Sequence, residues 1–159
     1  MNWQDKGFLL SSNKYNENSS IVEFFTKDHG KISGILFGST SKKIKSYLLI
    51  GNKFHLNYSS KNENSTGSFK LEIDKVNTAL HLYNKLKLSC IIYSIQIIKI
   101  LTVENQSNMK IFELIENLYK ILDDDNWLKS FVIWELDFFK LIGYEISFLE
   151  YAEKVTKNN

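Results

Sequence analysis

The stretch Ser20-Ile21-Val22-Glu23-Phe24-Phe25-Thr26-Lys27-Asp28-His29-Gly30-Lys31-Ile32-Ser33-Gly34-Ile35-Leu36-Phe37 decides the fold class. Two runs rich in β-branched and aromatic residues flank Lys27-Asp28-His29-Gly30, the pattern of a β-hairpin. Asp28 suits the opening of a type I turn, and Gly30 is free to adopt positive φ.

Before this hairpin, Gly7-Phe8-Leu9-Leu10-Ser11 reads as a first strand. After it, the run Tyr47 to Tyr58 has apolar residues at Phe54, Leu56 and Tyr58, the alternation of a half-buried fourth strand. Gly51 interrupts that run, as expected at a bulge or a sharp bend. Past the polar stretch Ser59–Thr66, Gly67 to Ile73 alternates with Phe69, Leu71 and Ile73 on one face. Five strands, with no helix strong enough to interrupt them, predict a small closed or nearly closed barrel.

From Val76 the period becomes helical. Thr78–Leu88 predicts a first helix carrying Leu80 and Tyr83. Ser89–Val103 is almost continuously apolar and predicts a buried central helix. Asn105–Asn108 is a polar break, and Ile111, Leu114, Ile115, Leu118 and Leu122 then form the stripe of an amphipathic helix. Asp123–Asn126 separates it from a fourth helix, Trp127 to Ile142, whose start the acids favour through the helix dipole and whose stop is Gly143. Ser147-Phe148-Leu149-Glu150 has the spacing of a capping box and predicts one more short helix.

A chain of 159 residues matches one ordinary domain or two small ones sharing a border. With 43% hydrophobic and 14% aromatic residues it can build a packed core. No run approaches the ~18 apolar residues of a membrane span, and the start, Met1 to Lys6, is polar, so a soluble cytoplasmic protein is expected. The lone Cys90 sits among Ile91, Ile92 and Tyr93 and reads as a small hydrophobe rather than a ligand or disulfide partner. His29, His55 and His81 fall on three segments without ligand spacing, so no metal is expected.

Arginine and proline are absent, which fits the codon bias of an AT-rich genome. Any phosphate contact must therefore use lysine point charges instead of the guanidinium fork. The net charge of +2 hides an asymmetry, because residues 1–75 hold 11 lysines against 7 acids and residues 76–159 hold 9 against 11. A basic front half points to an anionic partner there.

Lys42, Lys43 and Lys45 cluster in Gly38-Ser39-Thr40-Ser41-Lys42-Lys43-Ile44-Lys45-Ser46, a predicted loop whose hydroxyls and cations suit phosphate contact. The aromatic residues of the front half, Phe37 among them, include candidate stacking platforms, although most must be core. Tyr15, beside Lys14 in a polar stretch, is the one expected to be exposed. Asp123–Asp125 reads as a helix cap rather than a Mg²⁺ site, since consecutive carboxylates point apart. No nucleotide-binding, nucleophile-elbow or zinc-protease motif occurs, so neither catalysis nor a cofactor is expected.

The order of these pieces resembles a known family. Trp3-x-Asp5-x-Gly7-Phe8-Leu9-Leu10, then Tyr15-x-Glu17-x-Ser19-x-Ile21-Val22-x-Phe24-x-Thr26-x-x-His29-Gly30, then Gly34 to Lys43, Gly51-Asn52 and Gly67-Ser68-Phe69 are similar to the N-terminal domain of RecO proteins. Trp127-Leu128, Trp134-Glu135-Leu136 and Leu141-Ile142-Gly143-Tyr144 resemble the family's last strong helix and its stop.

The resemblance implies an α+β protein, with a five-stranded OB-fold barrel over residues 1–75 that binds DNA and an all-α helical domain over 76–159. It implies a recombination mediator that binds single- and double-stranded DNA, anneals complementary strands and, with RecR, helps load RecA onto DNA coated by SSB, whose C-terminal tail is a further partner. Such a protein is cytoplasmic and associated with the nucleoid. The residues expected at the DNA are Lys42, Lys43, Lys45, Lys14 and Tyr15. Many RecO proteins continue for several tens of residues, often with a zinc-holding cysteine cluster. That part is expected to be missing here, because no cysteine follows Cys90. The alternative reading is an adaptor for RecR or SSB with little DNA binding of its own.

Overall fold

The computed structural model describes residues 1–62 and 65–144. Five strands come first: β1 (Asn2–Lys14), β2 (Ser19–Thr26), β3 (Gly30–Phe37), β4 (Lys53–Ser59) and β5 (Gly67–Lys75), with a short helix α1 (Lys42–Tyr47) between β3 and β4. A 3₁₀ turn (Thr78–His81) leads to α2 (Lys85–Leu101), α3 (Met109–Leu122) and α4 (Trp127–Leu141). The expected α+β architecture, an OB-type β unit followed by helices, is therefore present.

The strands close in the order β1-β2-β3-β5-β4, and only the β3·β5 pair is parallel. β1 closes the ring by pairing its first half with β4 and its second half with β2, through an irregularity between Leu9 and Ser11. The parallel seam spans Gly34–Leu36 against Gly67–Phe69. A Cβ on Gly34 would stand 2.6 Å from the Phe69 ring, so glycine permits this close approach.

Alternation along the strands turns Leu9, Val22, Phe24, Leu36, Phe54, Leu56 and Phe69 into the barrel core. Phe8, Leu10 and Phe25 project the other way and join Ile91, Ile95, Phe112, Ile115, Trp134 and Phe138 in a second core beneath the helices. β1 thus serves both cores from its two faces. The Trp134 indole donates to the Leu114 carbonyl at 2.7 Å, tying α4 to α3.

Four expectations need correction. Residues 42–47 form a helix instead of a loop, because Ser41 accepts the Ile44 amide and Ile44, Tyr47 and Leu48 pack on the barrel at i, i+3 and i+4 spacing. The fourth strand starts at Lys53, since Tyr47 belongs to α1 and Gly51, at φ +86°, turns the chain. The predicted Thr78–Leu88 helix is one 3₁₀ turn followed by a fresh start at Lys85, where the Asn84 side chain accepts the Lys87 amide. Leu80 and Tyr83 are exposed there.

Nor is α2 buried all round: Ile91, Ile95 and Ile98 face the core, whereas Ile92, Tyr93 and Ile100 are exposed. The remaining expectations agree more closely. Gly30 and Gly143 adopt positive φ at the predicted turn and stop, and α3 and α4 begin and end within two residues of their predicted limits. Asp124 accepts the Asn126 amide ahead of α4, but no side chain caps that helix directly. The capping box at Ser147–Glu150 lies outside the described residues. No described helix is long and apolar enough to cross a membrane.

Candidate nucleic-acid interface

Two chain segments meet at the end of the barrel where β1 passes into β2. The β1–β2 turn is built by Asn16, whose side-chain oxygen accepts the Asn18 amide at 3.0 Å and the Ser19 hydroxyl at 2.7 Å. The link from β3 to α1 is fastened to this turn. The Gly38 amide donates to the Asn18 carbonyl (2.7 Å), the Thr40 hydroxyl donates to the Asn18 side chain (3.0 Å), and the Ser20 and Ser39 hydroxyls pair in the interior (2.8 Å).

These bonds bring together residues more than twenty positions apart. Lys14 and Tyr15 stand on the turn, and Lys42, Lys43 and Lys45 stand on the adjoining helix, all exposed. The ion pairs formed by lysine among the described residues use Lys6, Lys53 and Lys99, and none uses these four. Glu17 is the acid on the same turn. The positions of Lys42 and Lys43 are informative, because they occupy the first turn of α1, where a helix favours acids and this one has none. Their placement raises the positive potential of the site at a small cost to the helix.

Sequence reasoning singled out Tyr15 as the exposed aromatic residue, and its 59% exposure matches that reading. Phe37 is also exposed, at 63%, on the last residue of β3 and next to the same link. Period-2 alternation was the available signal. It separates Leu36 from Ile35 and Phe37, but the sequence does not say which set faces inward.

Elsewhere the structure places titratable groups in structural roles. The Cys90 thiol is half-buried against the helical core, and burial, reinforced by Glu135, pushes its pKa up, which disfavours a reactive thiolate. Tyr93 donates to Glu135, and that bond, with burial, raises its phenol to about 12. Among the described residues no group of three His, Cys, Asp or Glu side chains is placed to hold a metal ion.

Residues 1–73 match the family model described as Recombination protein O N terminal. The DNA repair protein RecO of Ehrlichia chaffeensis is 28% identical over 161 residues, covering 100% of this chain and 65% of the relative. The protein of the same name from Ruegeria sp. is 27% identical over 145 residues, covering 91% of this chain and 60% of the relative. That of Rhodospirillum centenum is 22% identical over 148 residues. The chain thus spans about three fifths to two thirds of the length of the curated relatives it matches. Through the N-terminal match and the relatives aligned across the helical part, the chain is similar to RecO proteins over nearly its whole length.

Proposed function

We propose that this chain is a non-catalytic DNA-binding protein of DNA repair, with the barrel of residues 1–75 as its DNA-binding unit and residues 76–159 as a helical unit. The observation that carries the reading is the set of four lysines, Lys14, Lys42, Lys43 and Lys45, that form no ion pair among the described residues and are gathered with Tyr15 at one end of the barrel. A polyanion gains by replacing its counterions with such fixed cations. The hydroxyl of the exposed Ser41, which accepts the Ile44 amide, adds a neutral donor for a phosphate oxygen.

The finer role rests on the similarity to proteins named DNA repair protein RecO. On this reading the protein works in the cytoplasm at the nucleoid, holds two strands close while screening their repulsion so that complementary strands anneal, and acts with RecR to load RecA onto DNA coated by SSB. The SSB tail and RecR are proposed as protein partners. The test is an anisotropy titration of labelled single-stranded and duplex DNA at low and moderate salt, with RecR and an SSB-tail peptide titrated separately. Micromolar or tighter DNA binding that weakens with salt is expected. Absence of DNA binding at micromolar protein in low salt, with binding of either protein partner retained, would favour the adaptor reading instead.

A further inference from the structure

The sheet face beside the four lysines carries apolar side chains that the fold leaves in solvent. β2 and β3 pair Ile21 with Ile35 and Ser19 with Phe37, and β1 pairs Asn13 with Ile21. Directly paired residues project to the same side, so Asn13, Ile21, Ile35 and Phe37 share the outer face. Tyr15 extends this surface, because its amide donates to the Ser19 carbonyl. Tyr15 and Phe37 therefore flank Ser19 on backbones about 10 Å apart, two strand spacings.

Further along the strands the same face is closed. Glu23 accepts the Ser11 hydroxyl at 3.0 Å and pairs with Lys99 at 3.3 Å, and the buried Lys31 ammonium donates to the carbonyls of Lys99 and Thr102 at the end of α2. What the described residues leave open is a short platform with two aromatic residues at its rim, beside lysines that form no ion pair among those residues. A scattered exposed apolar residue needs no explanation, but this grouping does. The lysines favour a polyanionic occupant over the apolar surface of another protein.

We propose that this face is a base platform. Phe37 and Tyr15 stack unpaired bases while Lys14, Lys42, Lys43 and Lys45 hold the phosphates of the same strand, so this end of the barrel selects single strands over duplex. The inference rests on the DNA-binding reading above and adds the choice between the two forms of DNA. A paired base already has both faces stacked within the helix, so a duplex offers the lysines its phosphates but gives the rings nothing.

The test uses the full chain, a labelled oligothymidylate and a duplex of equal length, with wild type, Phe37→Ala and Phe37→Trp titrated over several salt concentrations. Phe37→Ala is expected to weaken single-strand binding about tenfold, in the range measured for one base–aromatic stack. Duplex affinity and the salt slope stay unchanged, and Phe37→Trp retains wild-type affinity. Equal losses on the two DNAs, or no loss on either, would overturn the platform while leaving the lysine site standing. If wild type binds neither DNA in low salt, the DNA-binding reading falls and the platform falls with it.

Discussion

Lysine serves two regions of this molecule in different ways. At the junction of barrel and helices, Lys53 lies between the Phe8 and Phe112 rings (5.6 and 5.3 Å) and pairs with Glu116 and Asp74, while Lys31 closes the end of α2. At the end of the barrel formed by the β1–β2 turn and α1, Lys14, Lys42, Lys43 and Lys45 stand in solvent without carboxylate partners among the described residues. An ammonium taken from water must recover its hydration from fixed partners, whereas an exposed one keeps its water and gives it up only to a ligand. The same residue type is therefore structural in one place and available for binding in the other, and the surroundings decide which.

The sharpest way to break the contrast is to disable the junction. Asn52 is fully buried, accepts the amides of Asn77 and Thr78 (2.9 and 3.1 Å) and donates to the Tyr47 carbonyl (2.8 Å). Asn52→Ala leaves these partners without bonds in the interior and is expected to cost about 3 kcal/mol in urea unfolding. Lys31→Met, which deprives the last carbonyls of α2 of their donor, is expected to cost about 2 kcal/mol by the same measurement. Lys42→Ala, Lys43→Ala or Lys45→Ala should each stay within about 0.5 kcal/mol of wild type, as surface changes do. A large loss in any of these three would give that lysine a structural role and blur the distinction.

The smallest effect is one of pH. His81 is buried at the junction, and that burial, helped by Lys87, lowers its pKa against the opposing pull of Asp123. A histidine whose folded pKa lies below its unfolded value of 6.5 binds its proton more readily when unfolded. Its contribution to stability is therefore complete above pH 6.5 and is lost as pH falls through the lowered folded value. His81→Gln should flatten that part of the stability–pH curve, read by urea midpoints at successive pH values.

The sequence made some of this legible. The β2–β3 hairpin and α3 are long, periodic elements punctuated by glycine and asparagine, so local pattern suffices for them. α1 escaped notice because its six residues pack only Ile44 and Tyr47 against the barrel, too few for periodicity to register. The junction depends on contacts such as Tyr119 donating to the Gly51 carbonyl, 68 residues away, and nothing local encodes that pairing. At the candidate site the cluster of lysines was readable from spacing. Its union with Lys14 and Tyr15 required the Asn18 bonds to Gly38 and Thr40, and the exposure of Phe37 required knowing which face of β3 points inward.

The claim that the lysines at the barrel end bind DNA phosphates is tested most directly by the salt dependence of single-strand affinity for wild type and for Lys42→Glu/Lys43→Glu/Lys45→Glu. Three lost phosphate contacts should reduce the magnitude of the slope of log K against log salt by about 2 and weaken binding to unrelated sequences about equally. A variant that keeps wild-type affinity and slope would contradict the assignment and remove this end of the barrel from the site.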